Sequence, residues 1–168
     1  RQMCIRDSVK WAREVSGVTR AWAKGNAAGV GTVVVWFMMD ETNAGTEGYP
    51  VGTDGVASDE PRATAATGDQ LAVADYISTV RPATALVYAA APVAQPIAFT
   101  ITDLSPATST IKAGVSAALA DLFRRKGDPT GATVYPNEWS AAIESVEGIK
   151  TFTVGAPAAP VTPVSYTH

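Results

Sequence analysis

The chain has few of the side chains that carry out most covalent and metal chemistry. Its 168 residues hold one cysteine, Cys4, and one histidine, His168. A lone cysteine excludes an internal disulfide framework, and one of each excludes a Cys/His metal cluster. A Ser–His or Cys–His catalytic pair would need the terminal His168 to fold back from a proline-rich tail. Charge is scarce as well: 17% of residues are charged, against about a quarter in an ordinary soluble domain. The net charge of −3 lacks the basic excess of a nucleic-acid surface, so no nucleic acid is expected as a partner. Long apolar runs are missing. The longest, Val33 to Met39, is strand-sized and far below the roughly 18 residues of a membrane helix, so no membrane partner is expected.

What is present is enough for about one domain or two small ones. The chain is 46% hydrophobic, with 14 glycines and 11 prolines, and at this length it can bury roughly 70% of its unfolded surface without staples. The ends read as detached. Residues 1–8 show no helical or strand period, and Val164 to His168 follow a proline-rich stretch. Both resemble translated adapter peptides at the ends of gene predictions, and Arg1 as first residue fits a reading frame cut at its start. Residues 1–8 are therefore expected to be a non-native end, and residues 158–168 an extended or non-native tail. Without these ends the body is slightly more acidic and has neither cysteine nor histidine.

After a short lead-in over 9–17, Val18 to Lys24 reads as a strand. Gly25, Gly29 and Gly31 then mark a turn. Thr32 to Met39 is a β-branched and aromatic run that fits a strand covered on both faces, so it is expected to be central. Residues 40–68, rich in Gly, Thr, Asp and Ala, have no period. They read as a long loop too poor in apolar residues to pack, one that would order on contact with a neighbour. Leu71, Val73, Ala74, Ile77 and Val80 give a helix over 69–81, stopped by Pro82. Thr84 to Ala90 is a strand, and Ile97, Phe99 and Ile101 alternate as a half-buried one. Thr108 or Ser109 caps a helix whose stripe is Ile111, Val115, Ala118, Leu119, Leu122 and Phe123. Its basic end, Arg124 to Lys126, suits the helix dipole, and Gly127 ends it. Thr133 to Tyr135 is extended, Asn137 to Val146 a short helix around Trp139 and Ile143, and Thr151 to Val154 a last strand. The expected class is α+β, with mostly antiparallel sheets, helices on one side and the order β-β-loop-α-β-β-α-α-β. A break near Pro92 to Pro96 gives two small lobes, 9–92 and 93–157.

No constellation of residues makes a convincing reactive site. Gly25 to Gly31 is followed by a strand rather than a helix and holds no Gly-Lys-Ser/Thr, so it reads as a hairpin turn and not a phosphate loop. Asp54, Asp59 and Glu60 lie close in the loop, yet their spacing matches no calcium loop, and solvated acids are the simpler reading. Adjacent Asp40 and Glu41 would point to opposite faces of a strand, and a solvated strand end accounts for them. No catalytic residue, metal or cofactor is expected. Trp36 and Trp139 fall on core faces, while Trp22, on the hairpin, stays open as an interface residue together with Asp54, Asp59 and Glu60.

One resemblance runs along about residues 9–157. It is carried in order by Gly17-Val18-Thr19-Arg20-Ala21-Trp22, Gly29 to Val35, and Gly68-Asp69-Gln70 with Tyr76-Ile77 and Arg81-Pro82. Next come Leu86-Val87-Tyr88, Ala91-Pro92 to Pro96-Ile97, and Leu104-Ser105-Pro106. Trp139 to Ile143 and Val146 to Ile149 close it. The set resembles the baseplate J-like family of contractile phage tails, in particular its Mu-like wedge proteins. The resemblance implies a structural virion component, assembled in the bacterial host cytoplasm. Such a component builds wedges around the tail hub, contacts other wedge and hub proteins and itself in a ring-like baseplate, and rearranges at the host to trigger sheath contraction. It carries over no catalytic residues, and it implies that this chain is the middle and C-terminal portion of a longer protein. Two other readings stay open: a tail-associated glycan-acting enzyme using Asp54, Asp59 and Glu60, and an aromatic-surface binding module on the Trp22 hairpin.

Overall fold

In the computed structural model residues 5–162 are described. They form two units, one ending at Val93 and the next starting at Ala94. The first unit is built on strand β2 (Thr32–Met38), every residue of which is buried. β2 lies between β1 (Arg20–Gly25) and β3 (Leu86–Ala90) in a three-stranded sheet. Its two faces divide by the two-residue period of a strand. Val33, Val35 and Phe37 pack against Ala12 of helix α1 (Ile5–Glu14) and against Val73, Ala74 and Ile77 of helix α2 (Gly68–Val80). Val34 and Trp36 face the other way and pack with Trp22, Tyr88, Ala90 and the Ala27–Ala28 turn. Burial of both faces explains why this stretch shows no polar alternation.

The structure departs from the expected order at the start. α1 was not anticipated, and the order becomes α-β-β-α-β-β-α-α-β. Residues 5–8 are therefore part of the fold and not a detached end, and Ser8 is fully buried. The buried face of α1 is Ser8 and Ala12, two small side chains four residues apart, with Trp11 and Val15 packed beside them. Asp7 in its first turn and Arg13 in its last suit the helix dipole. Residues 1–4, with Cys4, lie outside the described residues, as do 163–168 with His168.

β1 and β2 pair antiparallel with Trp22 opposite Trp36, but β2 and β3 pair parallel, with Val34 opposite Tyr88. Parallel neighbours need a crossover connection. Residues 39–85, including α2, supply it, and both helices pack on the same face of the sheet.

The second unit has a two-stranded antiparallel sheet, β4 (Thr100–Ser105) and β5 (Thr151–Ala156), with helices α3 (Ser109–Lys126) and α4 (Pro136–Glu144). β4 begins three residues later than the Ile97 alternation implies, because its partner β5 ends at Ala156 opposite Thr100. Thr108 caps α3, its hydroxyl oxygen accepting from the Ile111 N–H at 3.2 Å. The expected stripe is buried at Ile111, Val115, Leu119 and Leu122. Trp139 of α4 is buried, with Phe99 edge-on at 5.7 Å between ring centres. The basic end of α3 is held by acids: Arg125 donates to Asp121 at 2.8 Å and Lys126 lies 3.0 Å from Glu138. Within the expected tail, Val161 exchanges two backbone hydrogen bonds with Val134, at 2.8 and 2.9 Å.

Truncating Phe37 to alanine removes a fully buried ring from the first core. The Phe37→Ala chain is expected to lose about 3–5 kcal/mol of unfolding free energy, measured by urea denaturation.

Candidate functional site

The 40–68 segment, expected to be loose, is packed and pinned. It contains a 3₁₀ turn at Ala44–Thr46, and Val56, Ala57 and Ala66 are buried. Its order comes from backbone crossings and polar pins rather than from an apolar stripe. Gly52 and Gly68 have φ of +150° and +60°. A Cβ on Gly52 would stand 2.1 Å from the Thr67 carbonyl oxygen, and one on Gly68 would stand 2.1 Å from that of Val51. No side chain fits either position, so the two strands of the segment cross at a pair of obligatory glycines.

Beside this crossing, Asp69 accepts from Asn43 Nδ2 at 2.7 Å and from the Val51 N–H at 2.8 Å. It sits in the first turn of α2, where a negative charge also meets the positive end of the helix. Gln70, next along, is almost fully buried. Asp54 accepts from the Ala91 N–H at 2.9 Å and from Gln70 Nε2 at 3.4 Å, tying the segment to the end of β3. Gly55 and Ala89 exchange backbone hydrogen bonds at 3.1 and 2.8 Å.

Glu60 is the third anchor, and it corrects the expectation of a solvated acid. Its carboxylate is buried and takes Arg62 Nε at 2.6 Å and Nη2 at 2.5 Å, with Arg81 Nη2 at 2.8 Å. Arg62 also donates to the Thr84 carbonyl oxygen at 3.3 Å. The hydrogen bonds from Arg62 outweigh the opposing effect of burial. With further help from Arg81 they hold the Glu60 carboxyl well below the usual carboxylate range, at about 2. Asp59 is exposed. Among the described residues no three His, Cys, Asp or Glu side chains are placed to hold a metal ion, and Asp54 and Glu60 take separate partners within the fold.

Asp40 is likewise no solvated strand end. Arg20 grips it with Nε at 2.9 Å and Nη2 at 2.6 Å, and the Thr19 hydroxyl donates to it as well. Glu41 is exposed. Trp22 is half-buried against the Trp36 face, with the Arg20 guanidinium 5.5 Å from its ring centre. The Gly25–Gly31 turn uses its own donors. Asn26 N–H bonds to the Thr32 carbonyl oxygen at 2.7 Å, and Gly31 N–H bonds to Asn26 Oδ1 at 3.0 Å, as a hairpin requires and a phosphate loop does not. At the far side of α2, the Tyr76 hydroxyl donates to Glu14 at 2.7 Å, which raises the Tyr76 pKa and ties α2 to α1.

The residues with exacting geometry thus hold one crossover in place. Asn43, Arg62, Asp69 and Arg81 act in this and were not singled out by residue chemistry. The adjacent motif pieces Gly68-Asp69-Gln70 and Arg81-Pro82 were the available signal, without any indication of their partners.

Two family profiles tile the chain. The Baseplate J-like central domain matches residues 6–91, and the Baseplate J-like protein C-terminal domain matches residues 97–166. The chain belongs to the baseplate J-like family. It is 34% identical over 161 residues to "Baseplate protein gp47" of Escherichia phage Mu, a match that covers 90% of this chain and 39% of that protein. The chain therefore spans about two-fifths of the length of that relative.

Two outcomes test the pins. A β-carbon at Gly68 clashes with backbone at a positive φ, so Gly68→Ala is expected to cost at least about 1 kcal/mol and to speed hydrogen exchange at the Val51 and Asp69 amides. Glu60 has a folded pKa of about 2 against an ordinary 4.5. Its contribution is complete above pH 4.5 and fades as the pH falls toward 2. Glu60→Gln is expected to melt lower than the parent chain at pH 7, with the gap between them closing through that window, in thermal melts from pH 7 to 2.

Proposed function

We propose that this chain is a structural part of a phage tail baseplate and acts through its surfaces rather than through a reactive site. Membership of the baseplate J-like family carries this reading, since both of its profiles fall here in order. The relative named "Baseplate protein gp47" supports it. The finer assignment is a wedge component of a contractile tail, placed around the hub, touching other wedge and hub proteins and its own copies in a ring, and rearranging at the host. The virion tail is its final location and the host cytoplasm its place of assembly. Among the described residues no helix is long and apolar enough to cross a membrane.

The side-chain chemistry favours this role over glycan hydrolysis. Of the three loop acids, Asp54 and Glu60 are committed to backbone and arginine partners. A hydrolase needs a carboxylate pair facing a substrate. A packed interface needs a rigid surface with few charges at its centre, and a lightly charged chain with a pinned crossover provides one.

Co-expressing the full-length parent protein with its neighbouring tail proteins tests the proposal. A stable complex recovered by size-exclusion chromatography, with both units inside its mass, is the expected outcome. A parent protein that stays monomeric with every tail neighbour would overturn it.

A further inference from the structure

Each unit has its own core. Val35, Phe37 and Ile77 are buried in the first, and Leu119, Trp139 and Ile143 in the second. Residues 91–99 join the units and lie in no helix or strand. Both ends of this stretch are held. The Ala91 N–H donates to Asp54 Oδ1 at 2.9 Å. Phe99 packs its ring against Phe123 and Trp139, at 5.8 and 5.7 Å between ring centres. Between these anchors Val93 is 67% exposed, and Ala94 and Pro96 are exposed too. Pro92 and Pro96 have no N–H to give to a ladder, and each keeps the residue before it out of helical backbone. The two family profiles leave out the same place, one ending at residue 91 and the other starting at 97.

We propose that residues 92–98 are a swivel on which the two units turn as separate bodies, with Asp54 as the latch that sets where the swivel begins. Units with separate cores and an exposed linker move relative to one another by default, and a few linker residues absorb the change in backbone angles. Asp54 belongs to the crossover and not to β3 or the linker, so it couples the linker to the crossover. The Gly55–Ala89 pair holds the chain two residues before Ala91. Opening the latch therefore frees Ala91 and leaves β3 paired. On its other side Asp54 meets Gln70 Nε2 only at 3.4 Å, and Gln70 Oε1 is buried with no hydrogen-bond partner among the described residues. An unpaired buried acceptor is uncommon, and water admitted on opening satisfies it, which lowers the cost of release. A partner that shifts the crossover thereby lengthens the swivel. This inference rests on the assembly role for its use, since a component that rearranges must let one unit move while the other stays bound.

The test uses the 168-residue chain with Cys4→Ser and spin labels on pairs of introduced cysteines at exposed positions. Ala72→Cys with Ala117→Cys reads across the units. Ala72→Cys with Lys24→Cys, and Ala117→Cys with Thr153→Cys, read within them. Pulsed electron spin resonance is expected to give a distance distribution across the units at least twice as wide as either one within a unit. Asp54→Ala removes the acceptor for the Ala91 N–H. It is expected to widen the distribution across the units further and to speed hydrogen exchange at the Ala91 amide at least tenfold, with both distributions within units unchanged. Asp54→Asn keeps an oxygen at the same place and is expected to match the parent chain in both readouts. The proposal is overturned if the distribution across the units is as narrow as those within them. It is also overturned if Asp54→Ala leaves that distribution and Ala91 exchange unchanged, or if Asp54→Asn behaves as Asp54→Ala does. A rigid link in a chain whose full-length parent still forms a complex with its tail neighbours would remove the swivel and leave the assembly role standing.

Discussion

The first unit depends on the burial of β2 on both faces. A strand with no solvent side must be covered twice, and the chain does this with different materials. Two helices pack over Val33, Val35 and Phe37, while Trp22, Tyr88 and a small-residue turn pack with Val34 and Trp36. Placing β3 parallel to β2 forces a crossover. The same stretch of chain must therefore both deliver α2 to the helix face and return to the sheet. Its first part, residues 40–68, has little apolar surface, so packing alone cannot hold it.

Polar pins and glycine crossings hold it instead. Asp69 fixes the segment at the head of α2, Asp54 at the end of β3, and Glu60 at the tail of α2 through Arg81. Of these, Asp54 and Glu60 look like candidate ligands or reactive groups in a bare sequence. In the fold each one accepts hydrogen bonds that bind the crossover to the elements on either side. This is the physical link between structure and role: acids committed to holding the chain in one shape leave a rigid surface, which suits assembly.

Much of the fold was legible wherever apolar period decided it. The β2 run, the α3 stripe, the Thr108 cap and the Trp139 helix all appear where pattern and capping place them, because burial of large side chains is what forms these elements. The α1 helix was not legible once residues 1–8 were set apart as an end: Ile5, Val9 and Ala12 recur at helical spacing among the charged Arg6, Asp7, Lys10, Arg13 and Glu14, but that pattern runs across the boundary. The order of residues 40–68 was hidden for a different reason. It comes from contacts such as Asn43 to Asp69 and Glu60 to Arg81, which join residues far apart in the chain and leave no local signal. Asp54 and Glu60 read in the sequence as closely spaced, solvated loop acids, and their partners were visible only in the fold. Trp22 sits on the hairpin as expected and is half-buried there, with Arg20 over its ring.

The most direct measurement is the position of this chain in a virion. Gold-labelled antibody raised against the 168-residue chain, applied to purified particles of the phage that encodes it, is expected to mark the end of the tail distal to the head. Absence of label from intact and partially disassembled particles, or label confined to the head or to the tail shaft, would contradict a baseplate role.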